Sequence, residues 1–188
     1  MDSYIDIRLL PDPEFAQNQL MSALFAKLHR ALAQRRTHNI GVSFPRTQDK
    51  PPTLGDRLRL HGTTQALEAL MALDWLSGMR DHASVAELRP APVGTQYRVV
   101  RRVQSKSSPE RLRRRLVKRH DLSEEQARER IPDTTEGRLL KLPFVSLRSQ
   151  STGQNFRLFV EHGELLEQPL AGTFTTYGLS NDATVPWF

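Results

Sequence analysis

The sequence predicts an α+β protein, with an N-terminal ferredoxin-like (βαββαβ) domain and a C-terminal α+β part that carries an arginine-rich helix. Three observations lead to this prediction. Short segments with alternating apolar residues, typical of half-buried strands, are interleaved with longer segments whose apolar residues recur at helical spacing. Their order is β-α-β-β-α-β, which is the ferredoxin-like arrangement. A strongly basic segment then follows, so we place the first domain in residues 1–95 and the second in residues 96–188.

The first half of the N-terminal domain is predicted from apolar spacing and from the positions of prolines. Alternation in Ile5–Leu9 predicts a strand. A capping residue, a proline and an acid at Asp12–Glu14 predict the start of a helix that runs to about Gln34. Ile40–Phe44 alternates as a second strand, and Thr47–Gly55, with two consecutive prolines, is expected to be an exposed loop.

The next part of the chain continues the alternation of strands and helices. Leu58–Leu60 marks a third strand, and the apolar residues of Leu67–Met71 mark a second helix with Trp75 near its end. Val85 begins a looser extended region, and Tyr97–Val103 is strand-like. These segments supply the remaining elements of the predicted order.

The C-terminal part is predicted to contain a short helix and several strands. Ser123–Ile131 begins with a capping box, formed by its serine and its glutamine, and is expected to be helical. Phe144–Ser149 and Asn155–Glu161 predict two strands around a polar turn, and Thr173–Tyr177 is a candidate for a last strand. The tail Val185–Phe188 is apolar, so we expect it to dock on the protein.

The density of positive charge is the most informative feature of the chain. The segment from Arg98 to Arg119 holds ten Lys and Arg residues and one acid, Glu110, so its net charge is +9, whereas the whole chain carries +6. Ser108 can cap a helix here and Pro109 suits its first turn, which predicts an arginine-rich helix over about 109–119. Charge concentrated in this way indicates a surface for a polyanion.

The basic residues of this helix share one side of it. At about 100° per residue, five cationic side chains fall on an arc of about 140°. They are Arg111, Arg114, Arg115, Lys118 and Arg119. Leu112 and Leu116 lie on a flank that can dock on a core. A solvated helix normally mixes charges, and a helix that lies on a membrane needs a broader apolar face, so the pattern favours nucleic acid over both alternatives.

The composition is that of an ordinary globular protein without disulfides. The chain has 188 residues, 38% of them hydrophobic and 26% charged, and it contains no cysteine. Disulfide staples, thiolate metal sites and a cysteine nucleophile are thereby excluded, and the cytoplasm is the expected location. The N-terminus lacks the features of a secretory signal, and no stretch approaches the roughly 18 apolar residues of a membrane span.

Few residues of the sequence could carry chemistry. Metal-ligand motifs and a glycine-rich phosphate loop are absent, so we expect no metal and no cofactor. His29 falls at the border of the buried stripe of the first helix, which suits proton transfer, although a structural hydrogen bond is the alternative. Ser149, Ser151 and Thr152 crowd a turn that either holds a phosphate or is a plain polar turn. By pattern alone, Tyr177 is a core or rim tyrosine.

Seven segments of the chain resemble one known family. They are Tyr4–Arg8, Pro11–Phe15, Ile40–Pro45, Pro109–Leu116, Leu147–Gln154, Tyr177–Ser180 and Val185–Phe188. Together they resemble the Csy-type endoribonuclease that processes CRISPR transcripts in type I-F systems. The matching segments keep the same order along essentially the whole chain, which makes the resemblance far more specific than a short motif.

The resemblance implies an enzyme that binds a small RNA hairpin of the CRISPR repeat and cleaves it, without a metal, at the 3′ base of the stem. The products would carry a 2′,3′-cyclic phosphate and a 5′-hydroxyl. The enzyme would then stay on its RNA as one subunit of the Csy surveillance complex. We expect it to be a monomer when free and to have no membrane partner.

The resemblance also implies catalytic roles, carried over by position. His29 would be the general base or proton-transfer residue, Ser149 would fix the attacking 2′-hydroxyl, and Tyr177 would orient the histidine. Ser151 and Thr152 would hold the phosphate.

Recognition of the RNA would fall to a second set of residues. Arg102 and Gln104 would read bases low in the stem, and Phe156 would stack on the terminal base pair. The basic helix would enter the deep, narrow major groove of A-form RNA. Its RNA-binding side chains would be Arg111, Arg114, Arg115, Lys118, Arg119 and His120. Lys118 keeps the charge of an all-arginine face but lacks the bidentate fork.

Three functions follow from these patterns. The first is an RNA-cleaving enzyme, and the second is a non-catalytic subunit that caps a guide RNA hairpin. The basic helix is common to both, whereas His29 with Ser149 favours the enzyme. A DNA-binding regulator is the third, but the chain lacks a helix-turn-helix signal and dimerisation heptads.

Overall fold

A computed structural model describes residues 1–104, 109–120, 122–132, 140–149 and 153–188, with the backbone alone for residues 109–112. Ser108, Ser151 and Thr152, like the side chains of Arg111 and Leu112, lie outside the described residues. The described part is an α+β structure in which four helices accompany antiparallel sheets.

The N-terminal elements build one main sheet, a separate two-stranded sheet from the third and fourth strands, and two helices. In chain order they are β1 (Ser3–Leu9), α1 (Gln17–Arg35), β2 (Gly41–Ser43), β3 (Gln48–Asp49), β4 (Pro52–Thr53), β5 (Arg57–Gly62), α2 (Thr64–Met71), β6 (Ala83–Val85) and β7 (Arg89–Pro90). The strand order is β2-β5-β1-β6, with β7 also paired to β1, and every pairing is antiparallel. The register sets Ile5 opposite Leu60 and Ile7 opposite Leu58, so these buried side chains share the face that packs on the helices.

The remaining elements build a second sheet and a helix pair. They are β8 (Gln96–Val103), α3 (Pro109–His120), α4 (Glu124–Arg130), β9 (Phe144–Arg148), β10 (Asn155–Leu166) and β11 (Thr184–Trp187). The strand order is β11-β8-β10-β9, again antiparallel. In α4, Ser123 and Gln126 form the predicted capping box, which confirms that helix.

Helix α1 joins the two sheets. Its buried stripe packs on the first sheet, and its other flank packs against β9, where the Ser146 N–H donates to the Ser22 hydroxyl at 3.0 Å. One hydrophobic core runs from the first sheet to Val145 and Leu158 of the second. Side chains on this flank of α1 can therefore meet residues from the far end of the chain.

The start of α1 was predicted too early. The Asp12 carboxylate does act as a cap, because it accepts the N–H groups of Glu14 and Phe15 at 2.8 and 2.9 Å. These bonds close a local turn that does not continue as a helix. The helix begins at Gln17, after the side chain of Gln19 accepts the Ala16 N–H at 3.1 Å.

Other predictions are corrected along the chain. The predicted loop Thr47–Gly55 contains the small β3–β4 hairpin. Helix α2 ends at Met71, so Trp75 lies in the turn that follows the helix and not near its end. The fourth strand of the first sheet is β6, at the start of the loosely extended region. The strand-like Tyr97–Val103 is confirmed as most of β8, which belongs to the second sheet.

The predicted last strand, Thr173–Tyr177, is wrong. The Thr175 carbonyl accepts the Gly178 N–H at 2.8 Å, which closes a tight turn, and Gly178 has a φ of 69°. A turn at this position leaves no room for a strand. The apolar tail docks as predicted, and it does so as the edge strand β11, paired with β8.

Candidate functional site

His29 lies on α1 at the border between the buried stripe and solvent, as its spacing predicted. It is half-buried, and its Nδ1 is 3.0 Å from the main-chain carbonyl of Thr176. A carbonyl oxygen can only accept, so Nδ1 carries the proton and the Nε2 of the neutral ring is left as an acceptor. Nε2 makes no hydrogen bond to the described residues. This tautomer is the one that a general base requires.

Tyr177 fixes the plane of the His29 ring. The two rings stack with centroids 3.9 Å apart and an interplanar angle of 10°, and Phe25 lies parallel to Tyr177 at 6.3 Å. The same turn, Thr175–Gly178, therefore supplies both the hydrogen-bond acceptor and the stacking partner of the histidine. The orienting role implied for Tyr177 has a geometric basis in this stack.

Ser149 lies directly after β9, at the start of the segment that leads to β10. Its N–H donates to the Gln154 carbonyl and its own carbonyl accepts the Gly153 N–H, each at 2.9 Å. Gly153 adopts a φ of 67°, which favours glycine and lets the chain reverse. Between these closing bonds lie Ser151 and Thr152, which are outside the described residues.

One open pocket of about 420 Å³ brings the three predicted catalytic residues together with two of the predicted RNA-binding residues. Those that line it are His29, Ser149, Tyr177, Arg102 and Phe156. Arg30 and Arg148 also line it, and neither was predicted. Each is the chain neighbour of a predicted residue, which was the only signal that could have found them. None of the described residues that line the pocket is acidic, so its electrostatics favour an anion.

Arg102 reaches the pocket from β8 and lies among aromatic rings. Its guanidinium carbon is 5.5 Å from the ring centre of Phe156 and 5.6 Å from that of Tyr177. Its Nε is buried and has no hydrogen-bond partner among the described residues. Gln104 follows β8 as an exposed residue outside the set that lines this pocket.

The predicted arginine-rich helix is confirmed as α3, one residue longer than expected. The described side chains of its basic face, Arg114, Arg115, Lys118 and Arg119, are exposed, and so is that of His120. Arg113 instead is buried, and its Nε donates to the Ile131 carbonyl at 2.7 Å. Arg113 thus joins α3 to the end of α4, while the neighbouring cations stay available to a ligand.

Two other histidines are poorly suited to proton transfer. Burial lowers the pKa of His61 to about 3, and burial lowers the pKa of His162 to about 4. Both rings are therefore neutral and enclosed near pH 7. Among the described residues, no group of three His, Asp or Glu side chains is placed to hold a metal ion. No helix in the same part of the chain has the length and apolar content needed to cross a bilayer.

Comparison with known proteins identifies the family of this chain. The model of a family described as "CRISPR-associated protein (Cas_Csy4)" matches residues 4–188. A protein of Pseudomonas aeruginosa named "CRISPR-associated endonuclease Cas6/Csy4" is 58% identical, and one of Escherichia coli with the same name is 52% identical. Both alignments cover 100% of this chain and 100% of the relative.

Among solved structures, a chain titled "An RAMP protein binding different RNA substrates" covers 98% of this chain and 99% of its own length. Its sequence identity is 11% and its TM-score is 0.35, a similarity too weak to bear on fold or function. The family match and the two full-length relatives are decisive by themselves. The chain belongs to the Csy4 family of CRISPR-associated proteins.

Proposed function

We propose that this protein, a CRISPR endoribonuclease of the Csy4 family, binds the hairpin of its CRISPR repeat RNA and cleaves at the 3′ base of the stem. The 2′-hydroxyl beside the scissile phosphate is the nucleophile, and the enzyme afterwards retains the crRNA. The observation that carries the proposal is the single pocket in which His29, Ser149 and Tyr177 meet Arg102 and Phe156.

The chemistry needs only a positioned base. The Nε2 of His29 takes the proton of the 2′-hydroxyl, the 2′-oxygen bonds to phosphorus, and the bond from phosphorus to the 5′-oxygen breaks. The departing oxygen takes up a proton, so the products are a 2′,3′-cyclic phosphate and a 5′-hydroxyl. Ser149 fixes the 2′-hydroxyl, and the stacked Tyr177 holds the imidazole in line. Because the nucleophile is internal to RNA, the step requires no metal-bound water, and DNA lacks the group altogether.

Recognition is assigned to a surface next to the pocket. Arg102 and Gln104 read bases low in the stem, and Phe156 stacks on the terminal pair. The exposed cations of α3 contact the major groove, and Ser151 and Thr152 hold the scissile phosphate. The buried Nε of Arg102, which lacks a partner among the described residues, supports a ligand at this position.

The domain assignment supports the same division of labour. We assign residues 1–95 to a ferredoxin-like domain, since two helices accompany four strands in the order β2-β5-β1-β6. Residues 96–188 form the RNA-recognition part. We further propose that the protein is a cytoplasmic monomer when free and joins the other subunits of the type I-F Csy complex after cleavage.

The test is a cleavage assay on the cognate repeat hairpin in EDTA. We expect the wild-type protein to cut the RNA, and to bind but not cut a hairpin with deoxyribose at the one position that supplies the nucleophile. His29→Ala should abolish cleavage and preserve binding.

His38→Ala is the matched control for that substitution. The Nδ1 of His38 also contacts a main-chain carbonyl, that of Phe174 at 2.8 Å, but the ring is exposed outside the pocket. This variant should cut normally. Binding without cleavage by the wild-type protein would instead identify a non-catalytic subunit that caps the guide hairpin.

A further inference from the structure

We infer that Arg148 is a further catalytic residue, whose guanidinium stabilises the negative charge that develops on the non-bridging oxygens of the scissile phosphate. The inference rests on the proposed function, since it concerns the same cleavage step. It addresses a requirement of that step that the proton-transfer residues leave unmet.

The requirement is electrostatic. A phosphodiester carries one negative charge, and attack by the 2′-oxygen adds a second to the pentacoordinate transition state. His29 removes a proton but supplies no cation opposite the phosphate oxygens. Preorganised donors aimed at such developing charge are commonly the largest single contribution to catalysis.

Arg148 has the position and orientation for this task. It immediately precedes Ser149 in the chain and lines the same pocket. Its Nε donates to the Gly153 carbonyl at 3.0 Å, so the guanidinium is held across the mouth of the loop that Ser149 opens. No ion pair to a described residue neutralises it. The two terminal nitrogens therefore remain available for a bidentate contact with an anion.

The other two arginines of the pocket are less suited to the transition state. Arg102 is confined among aromatic rings and is assigned to a base. Arg30 is exposed on α1, and no described residue forms a hydrogen bond that would orient its guanidinium. Arg148 alone among these three is tethered at Nε while its fork stays unpaired with the described residues.

Substitutions can separate the charge of Arg148 from its tether. In Arg148→Gln the amide nitrogen replaces Nε at the same number of bonds from the backbone, so the donor to Gly153 is kept and the cationic fork is lost. Arg148→Lys keeps a cation and loses the Nε donor. Arg157→Gln is the matched control, because Arg157 is an exposed cation of β10 that packs on Phe144 outside the pocket.

The primary measurement is the single-turnover cleavage rate at saturating enzyme, with the Kd of the 2′-deoxy hairpin measured in parallel. Arg148→Gln should cleave about 10²-fold more slowly, with Kd changed by no more than about threefold. Arg148→Lys should regain roughly 10-fold of that loss, and Arg157→Gln should match the wild type. A wild-type rate in Arg148→Gln, or a loss explained by Kd alone, would overturn the inference.

A sulfur substitution distinguishes direct contact from support of the Ser149 loop. When one non-bridging oxygen of the scissile phosphate is replaced by sulfur, the two diastereomers should be cut at different rates by the wild-type enzyme. That difference should shrink in Arg148→Gln, because the group that senses the oxygen is gone. An unchanged ratio would make Arg148 a structural residue. The proposed function itself fails only if the wild type does not cut, or if His29→Ala does.

Discussion

Replacing Gly178 with alanine should distort the candidate site through the backbone, without changing any side chain that lines the pocket. Gly178 has a φ of 69°, and a Cβ built on it would lie 2.6 Å from Val42 Cγ1. Val42 is fully buried in β2, and its own N–H donates to the Gly178 carbonyl at 2.9 Å. The turn that holds Thr176 and Tyr177 must therefore move outward.

The size of the effect has two parts. The left-handed backbone costs a residue with a Cβ about 1–2 kcal/mol. Forcing an extra methyl group into a packed contact costs about 1–3 kcal/mol more. We thus expect the free energy of unfolding to fall by roughly 2–5 kcal/mol. If the Thr176 carbonyl leaves His29, a hydrogen bond worth about 1 kcal/mol no longer selects the tautomer, which lowers the cleavage rate on the order of 5- to 10-fold.

Gly94→Ala is the control that isolates the Val42 contact. Gly94 has a φ of 75°, but a Cβ there would have no heavy atom of the described residues within 4 Å. Urea unfolding should show a loss of about 1 kcal/mol for this variant, with an unchanged single-turnover rate. Equal stability losses in the two variants, together with a wild-type cleavage rate in Gly178→Ala, would refute the role assigned to the turn.

Two further predictions concern the basic helix and the buried histidines. Arg115→Ala should weaken hairpin binding, and the dependence of log Kd on log salt concentration should become shallower by about one phosphate contact. Arg113→Ala should instead lower the Tm, because its contact with Ile131 is lost. Binding and melting experiments in which the two phenotypes are reversed would contradict the structure. Burial lowers the pKa of His61 to about 3 and of His162 to about 4, against about 6.5 when unfolded, so the unfolded chain binds more protons. The free energy of unfolding, measured by urea titration, should therefore fall as the pH falls from about 6.5 towards 4, by on the order of 1 kcal/mol per pH unit for each ring. His162→Phe should flatten that decline.

Elements whose signal is local could be predicted from the sequence. The alternation of Ile5, Ile7 and Leu9 marks β1 because every second side chain of that strand is buried. The capping box before α4 is likewise complete within four residues. The Thr173–Tyr177 segment has strand-like composition, but its structure depends on contacts with distant parts of the chain. The Phe174 N–H, for example, donates to the carbonyl of His38.

The candidate site also depends on contacts between distant residues, which the sequence does not reveal. The border position of His29 is a periodicity signal, and it was predicted from the residues themselves. Ser149 and Tyr177 were ordinary turn and rim residues by pattern, and the resemblance alone assigned them roles. The only signal for Arg148 was its place next to Ser149, because its orientation depends on the Gly153 carbonyl, a contact that spacing does not predict.

The contact that sets the tautomer of His29 is made by a main-chain carbonyl, and this determines which substitutions the site tolerates. Thr176 can be exchanged for any residue that keeps the turn, because its carbonyl oxygen stays in place. Gly178 cannot, because its conformation and its contact with Val42 exclude a Cβ. The constraint on the candidate histidine is thus carried by a glycine that lies outside the residues lining the pocket. Gly178 has no side chain that could mark it as functional, and only the geometry of its turn shows its importance.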